Sequence, residues 1–188
     1  TLQALACYRY YNHRTKTKTK LLIICPAYLK YTWKNEIEKW IPGSSPSVIV
    51  TGKDSLDQST PLIVSYELAA KKSKELEKMK FGMVVCDESH YLKNHKTKRT
   101  KALTPLIKSV KYAILLTGTP ALNRPVEIYP QAHMLYPILF PKYRAFTERY
   151  CDGKMSPIGF YDASGSSNTY ELTWLLKRAL MIRRLKRD

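Results

Sequence analysis

Short apolar runs recur along most of the chain and predict the strands of a buried sheet. The clearest are LLIIC at residues 21–25, MVVC at 83–86 and AILLTG at 113–118. None of these runs alternates apolar with polar residues, which is typical of strands that are covered on both faces. SVIV at residues 47–50 and LIVSY at 62–66 predict two more strands of the same kind.

Stretches with the apolar spacing of a helix lie between these runs. Helices are predicted at residues 2–11, 28–40, 67–80 and 171–188. In the second of them, one apolar stripe includes Trp33 and Trp40, which we interpret as core or surface aromatics. Because strands alternate with helices, the sequence predicts an α/β fold in which helices flank a parallel sheet. No domain linker is visible, although the pattern loosens after residue 125 and the stretch 152–168 is rich in turn residues.

Length and composition limit the class of protein. The chain has 188 residues, enough for one domain with its own core, and 44% of them are hydrophobic. No apolar run approaches the roughly 18 residues that a membrane span requires, so a soluble, intracellular protein without a membrane partner is predicted. The cysteines lie far apart without metal-ligand spacing, and Cys25 and Cys86 fall within apolar runs, which predicts buried free thiols.

The charge of the chain favours a polyanionic partner. The formal net charge is +17, with 32 Lys and Arg residues against 15 Asp and Glu. An excess of this size favours nucleic acid as the partner. The alternative is a lysine-rich surface that is merely well solvated.

Two acidic residues and a histidine follow one of the predicted strands in the segment VVCDESHYLKN. Ligands of an open parallel sheet collect at the carboxyl ends of its strands, which is where Asp87 and Glu88 are expected. One carboxylate there can hold Mg²⁺ that carries nucleotide phosphates, and the other can orient or deprotonate a water molecule. The alternative is an acidic turn that only faces solvent. TGTP at residues 117–120 follows another strand in the same way, but alone it is equally typical of a strand-ending turn.

Together and in this order, the segments resemble the first RecA-like motor lobe of the Swi/Snf-type helicase-like ATPases. ICPAYLKYTWKNEIEKW and IVSYEL are similar to the segments after the first two crossovers, and DESH to the Walker B box. LLTGTPALNRPVEIY is similar to the coupling motif, and MIRRLKRD to the basic stretch that leads to the second lobe. RPVEIYPQ, FPKYRAFTERYCDG and SGSSNTYELTWLL most resemble the HARP-like annealing-helicase branch.

The resemblance implies a RecA-like (P-loop NTPase) parallel sheet flanked by helices. It assigns residues 1–188 to the helicase ATP-binding lobe, and 126–188 to a family-specific extension that leads toward a second RecA-like lobe. Family members carry a phosphate loop whose last residue matches Thr1, so the lobe is expected to be truncated at the strand that feeds this loop. The phosphate-loop strand is the expected neighbour of the strand at residues 113–118. That strand is therefore expected either to have one open edge or to be covered by a rearranged fold.

The resemblance also implies the roles of individual residues, with ATP and Mg²⁺ as cofactors. Glu88 is the catalytic carboxylate, assisted by Asp87 and His90. Thr1 and Asp87 hold the metal, and together with Gln3 they bind the nucleotide. His90 links this site to the coupling motif, which comprises Thr117, Gly118 and Thr119.

The implied partner is DNA, duplex or forked, bound through its phosphates independently of sequence. The residues expected to bind it are Tyr28, Lys30, Ser65, Tyr66, Lys96, Lys98, Arg99, Lys101, Asn123 and Arg124. Further implied partners are the second lobe and, through regions outside this sequence, single-strand-binding or replication proteins. The implied function is an ATP-dependent DNA translocase or annealing helicase that remodels branched or forked DNA in the nucleus. The alternatives are a catalytically inactive basic DNA-binding fragment and a chromatin-remodelling ATPase of the same family.

Overall fold

The computed structural model describes residues 1–16, 18–56, 60–118 and 124–182. These residues form two compact units. The first unit comprises residues 1–92 and 96–118, and the second comprises 93–95 together with the described residues from 124 onward. Among the described residues, no helix combines the length and the apolar character needed to cross a membrane.

A five-stranded parallel sheet forms the centre of the first unit, with the spatial order β2-β3-β1-β4-β5. Its strands are β1 (Leu21–Cys25), β2 (Ser47–Val48), β3 (Leu62–Ser65), β4 (Met83–Cys86) and β5 (Tyr112–Leu115). All five predicted strands and the predicted α/β class are confirmed. β2 is shorter than predicted and ends at Val48.

The middle of this sheet explains why the apolar runs lack polar residues. β1 lies between β3 and β4, with Ile23 opposite Ile63 on one side and Val85 on the other. All residues of these three strands are buried, because layers of side chains cover both faces. Trp33 and Ile37 pack against this sheet within the main core cluster.

The helices of the first unit are α1 (Leu2–Thr15), α2 (Lys30–Trp40), α3 (Tyr66–Lys71), α4 (Ser73–Lys78) and α5 (Lys98–Ser109). The predicted helix at 28–40 begins with a 3₁₀ turn, Ala27–Leu29, before α2. The prediction of a single helix at 67–80 is wrong. The segment breaks at Lys72, whose backbone (φ −99°, ψ 16°) leaves the helical region, and each half buries its own apolar residue, Ala69 or Leu76.

The edge strand β5 differs from its neighbours. Of the strands that the structure describes, only β4 pairs with it, and all four of its residues are half-exposed. Tyr11 of α1 stacks on Tyr112, with 3.9 Å between the ring centroids. Among the described strands, one side of β5 thus has no strand neighbour, which agrees with the first of the two predicted alternatives.

The second unit has a core of mixed aromatic and aliphatic side chains. Its elements are a 3₁₀ turn (Pro125–Glu127), α6 (Tyr129–Leu135), α7 (Tyr143–Tyr150), β6 (Lys154–Met155), β7 (Tyr161–Asp162) and α8 (Thr169–Ala179). Its core cluster includes Tyr129, Phe140, Phe146, Tyr150, Leu172 and Leu176. The β6–β7 hairpin falls in the stretch that the sequence predicted only as turns. α8 ends at Ala179, short of the predicted residue 188, and residues 183–188 lie outside the described part.

Candidate active site

The acidic segment after β4 is anchored on both sides to the sheet. The Asp87 N–H donates a hydrogen bond to the Ile24 carbonyl (2.8 Å), and the Ser89 N–H donates to the Leu116 carbonyl just beyond β5 (2.8 Å). Between these anchors, Glu88 has a positive φ of 50°. A non-glycine residue in this left-handed region stores backbone strain, and strain of this kind is concentrated at functional sites. The backbone thus turns sharply at Glu88, the residue that the family resemblance implies is the catalytic carboxylate.

The carboxylate of Asp87 is held by donors from two directions. The Trp33 indole N–H donates to Oδ2 at 2.8 Å, and the Glu88 backbone N–H donates to Oδ1 at 3.0 Å. The Tyr66 hydroxyl fixes the backbone of the same residue by donating to the Asp87 carbonyl at 2.8 Å. Each carboxylate oxygen has further acceptor capacity, so the group can also bind a cation or water.

Glu88 and His90 form a second pair beside Asp87. Their Oε2 and Nδ1 atoms lie 3.1 Å apart, and their side chains are 37% and 30% exposed. The pair is therefore open to solvent on one side.

The groups beneath this segment are neutral. Burial raises the pKa of the Cys25 thiol to about 12, with Asp87 adding to the rise, and burial also raises the pKa of the Cys86 thiol. Burial holds the pKa of the Tyr66 hydroxyl well above its usual value, so it stays a hydrogen-bond donor at neutral pH. Asp87 and Glu88 are the acidic side chains at this strand end.

The other residues assigned to this site occupy the ends of α1 and β5. Thr1 is the N-cap residue of α1 and makes no side-chain cap, and both it and Gln3 are exposed. Thr117 is half-buried and Gly118 is exposed, directly after the Leu116 carbonyl that binds Ser89. Thr119 lies outside the described residues. The structure thus brings Asp87, Glu88 and His90 together and ties their segment to the one that precedes Thr117.

The donor set suits Mg²⁺ better than a metal with an all-protein shell. Within the described ranges, no cluster of three or more His, Cys, Asp or Glu side chains could hold a metal ion. Mg²⁺ is usually held by one or two carboxylates plus phosphate oxygens and water. Asp87, half-buried and fixed in orientation, fits that requirement for a cation that arrives with a nucleotide.

The residues predicted to contact DNA fall into two groups. Those that are exposed are Tyr28 (73% exposed), Lys96, Lys98, Lys101 and Arg124. The side chains of Lys30, Ser65 and Tyr66 are instead buried. Lys30 Nζ donates to the Ile49 carbonyl at 2.9 Å, and Ser65 Oγ accepts from the Leu68 N–H at the start of α3. These three side chains support the segments that carry them and do not reach the surface. Asn123 lies outside the described residues.

Arg99 also has internal partners. It pairs with Glu67 (3.1 Å), and its guanidinium lies 5.2 Å from the Tyr91 ring centroid and 5.9 Å from that of Tyr66. The two tyrosine rings are stacked, 5.2 Å apart and inclined by 7°. Arg99 therefore packs against Tyr66, whose hydroxyl donates to the Asp87 carbonyl.

Sequence reasoning missed the two aromatic donors of the site. The apolar stripe of the predicted helix indicates a core or surface aromatic at Trp33, and the family resemblance implies a DNA contact at Tyr66. A signal for Trp33 was present, because a buried indole N–H needs an acceptor and the apolar stripe of α2 supplies none. Its acceptor, Asp87, lies 54 positions away in the sequence.

Comparisons with known proteins agree with this architecture. The chain matches the SNF2-related domain over residues 1–188. It is 44% identical over 191 residues to the SWI/SNF-related matrix-associated actin-dependent regulator of chromatin subfamily A-like protein 1 of Xenopus tropicalis. It is 37% identical over 200 residues to the human DNA annealing helicase and endonuclease ZRANB3. Both alignments include the whole chain but only 20% and 18% of these relatives, so the chain spans about a fifth of their length.

A solved structure extends the comparison to the fold. The SWI2/SNF2 ATPase core of Sulfolobus solfataricus, in complex with dsDNA, superposes with a TM-score of 0.77 at 26% sequence identity. The match covers the whole chain and 38% of that core. The parallel sheet and its helices therefore have the predicted RecA-like architecture.

Proposed function

We propose that this chain, which belongs to the SNF2-related domain family, is the ATP-binding lobe of a DNA-dependent ATPase. The observation that carries the proposal is the strand end after β4. There Asp87 is fixed by Trp33 and by the backbone, and Glu88 stands beside it on a strained turn. A fixed carboxylate can hold the metal and a solvent-accessible one beside it can orient the attacking water, which suits metal-assisted phosphoryl transfer to water.

We assign the roles as follows. Asp87 and Thr1 hold Mg²⁺, and Gln3 contributes to nucleotide binding. When bound, Mg²⁺ neutralises charge that develops on the phosphate oxygens. Glu88 orients the attacking water and accepts its proton. His90, whose Nδ1 atom lies 3.1 Å from Glu88 Oε2, links this site to the coupling motif.

The coupling motif of Thr117, Gly118 and Thr119 is proposed to follow the state of this site. Support comes from the hydrogen bond between Ser89 and Leu116, which joins the acidic segment to the residue before Thr117. We further propose residues 126–188 as the extension that leads toward a second RecA-like lobe. That lobe completes the motor.

For DNA we propose a contact surface that depends on charge. In the first unit, the exposed side chains of Tyr28, Lys96, Lys98 and Lys101 support phosphate contacts that do not read sequence, and so does the net charge of +17. Arg124 of the second unit is exposed as well and is proposed as a further phosphate contact. The buried side chains of Lys30, Ser65 and Tyr66 support the segments that carry them. The archaeal SWI2/SNF2 core was solved in complex with dsDNA, which favours duplex DNA as the partner.

For the full-length protein we propose an annealing helicase that acts on branched or forked DNA in the nucleus. The support is the 37% identity to a relative named as a DNA annealing helicase. Single-strand-binding or replication proteins are proposed as partners through regions outside this sequence. A chromatin-remodelling ATPase is the alternative within the family, and the name of the Xenopus relative favours it.

The test is the substitution Glu88→Gln in the full-length protein that carries this domain. The amide keeps the shape of the side chain but cannot accept the proton, so DNA-stimulated ATP turnover is expected to fall by about 10²-fold or more. Glu77→Gln, at an exposed position of α4, is the matched control and is expected to leave turnover unchanged. Near-normal turnover of Glu88→Gln contradicts the role of Glu88. DNA binding without any ATP turnover by the unmodified protein favours the inactive DNA-binding alternative.

A further inference from the structure

We infer that Trp33 is a positioning residue that fixes the Asp87 carboxylate and thereby sets the affinity of the site for Mg²⁺. This inference rests on the proposed role of Asp87 as a metal ligand. It adds to that site a residue from a separate segment of the chain, the helix α2.

The first argument is the immobility of the donor. Trp33 is only 1% exposed, and its ring belongs to the same core cluster as Cys25, Ile37 and Val85. A ring enclosed on all sides by close-packed side chains cannot turn to another acceptor. Its N–H therefore stays directed at Asp87 Oδ2, 2.8 Å away.

The second argument concerns what the bond does to Asp87. With Oδ2 bound by Trp33 and Oδ1 by the Glu88 N–H, rotation of the carboxylate breaks both hydrogen bonds. A hydrogen bond to an ionised acceptor is stronger than one between neutral groups. Outer residues that hydrogen-bond to a metal ligand fix its orientation, and losing one typically lowers metal affinity or activity about 10–100-fold.

The same helix contains a matched control. Trp40 also lies on α2 and also donates its indole N–H to a carboxylate, Glu36 Oε2, at 2.9 Å. That bond is exposed, links two residues of one helix, and involves no residue of the candidate site. Comparing the two tryptophans separates the loss of an indole N–H in general from the loss of the one that binds Asp87.

The experiment measures ADP affinity by calorimetry at increasing Mg²⁺ concentrations in the full-length protein, so that no turnover is needed. ADP is expected to bind more tightly as Mg²⁺ is added, and the Mg²⁺ midpoint is the concentration at which half of this gain in affinity is reached. For Trp33→Phe, the Mg²⁺ midpoint is expected to rise about tenfold. For Trp40→Phe it is expected to stay within about twofold of the unmodified protein. Raising Mg²⁺ is expected to restore ADP binding to Trp33→Phe, because the metal ligand itself remains. An equal midpoint for the two variants overturns the inference.

A second variant covers the case in which Trp33→Phe does not fold. Benzothienylalanine at position 33 has nearly the shape of tryptophan but carries sulfur in place of the N–H. Its Mg²⁺ midpoint is also expected to rise about tenfold at an unchanged melting temperature, and an unchanged midpoint overturns the inference.

If ADP affinity of the unmodified protein does not depend on Mg²⁺, the metal-site assignment fails and the inference fails with it. If it does depend on Mg²⁺ but the variant behaves like the unmodified protein, only Trp33 is misassigned.

Discussion

The strand end at Asp87 and the basic face of Lys96, Lys98 and Lys101 carry opposite charges and are built in opposite ways. At the strand end, the carboxylate is half-buried and accepts hydrogen bonds from Trp33 and the backbone. On the basic face, all three side chains are exposed on and just before α5. The first region fixes the direction of a charge, and the second only concentrates charge.

The difference follows from what each region is proposed to bind. Transfer of a phosphoryl group requires reacting atoms at nearly fixed positions, so small displacements cause large losses. Contact with a phosphate backbone requires positive charge near the surface, and each contact adds a similar, salt-dependent increment. Substitutions at the strand end are therefore expected to act steeply, and substitutions on the basic face in proportion to their number.

The largest effect expected on the basic face comes from the triple substitution of Lys96, Lys98 and Lys101 by alanine. If each lysine contacts one phosphate, the slope of log affinity against log salt for duplex DNA should fall by about 0.9 per lysine. The loss should be the same for DNA of different sequences, and ATP turnover without DNA should not change. Binding titrations at several salt concentrations measure the slope.

The matched control replaces three other exposed lysines, Lys71, Lys74 and Lys78 of α3 and α4. It removes the same charge from a different position. If the slope of log affinity against log salt falls equally in both triple variants, only net charge matters. That result contradicts the assignment of DNA contacts to Lys96, Lys98 and Lys101.

A smaller effect is expected from Arg99→Gln. This substitution tests whether Arg99 contacts DNA with the basic face or supports the strand end through Tyr66. Arg99 is close to the basic lysines in sequence, but it pairs with Glu67 and lies over Tyr66 and Tyr91. Its loss is expected to lower the free energy of unfolding by about 1–2 kcal/mol and to leave the salt slope unchanged. Lys98→Gln is the control, with the reverse expectation. Denaturant unfolding and salt titration of both variants measure the two quantities, and a changed slope with unchanged stability assigns Arg99 to the basic face.

The smallest effect is expected at the start of α5. The Thr97 hydroxyl accepts a hydrogen bond from the Thr100 N–H at 3.3 Å and caps the helix that carries Lys98 and Lys101. Thr97→Ala is expected to cost about 1 kcal/mol of unfolding free energy, whereas Thr97→Ser should retain most of it because serine caps equally well. Thermal or denaturant unfolding measures both, and an equal loss in the two variants contradicts the capping role.

The sheet could be predicted from sequence because its signal is local. LLIIC and MVVC are each wholly apolar, which predicts a buried strand from only four or five residues. DESH follows one of these strands directly. The β6–β7 hairpin gave no such signal. Its strands, Lys154–Met155 and Tyr161–Asp162, are mostly exposed, so no apolar alternation marks them. They are also too short to show a period.

The partners within the site could not be predicted because folding creates them. Trp33 meets Asp87 only after β1 and β4 have paired, which fixes the register between Ile24 and Cys86 and so aligns the segments that follow. The burial of Lys30 could not be predicted either, because it too depends on a partner that is distant in the sequence. Its charge predicts a surface residue, but its flexible stem brings Nζ to the buried carbonyl of Ile49.

The order of the sheet also sets a time scale for synthesis. Of the five strands that the structure describes, β1 comes first in the chain, and its partners follow much later, since Leu22 pairs with Leu62 and Leu21 with Met83. At the usual rate of roughly 5–20 residues per second, the ribosome takes about 3–12 s to add the strand that completes the second of these pairs. Throughout that interval LLIIC is a wholly apolar segment without its neighbours, which is the kind of nascent chain that chaperones protect. Among the described strands, the central strand β1 is therefore the one that waits longest for its neighbours.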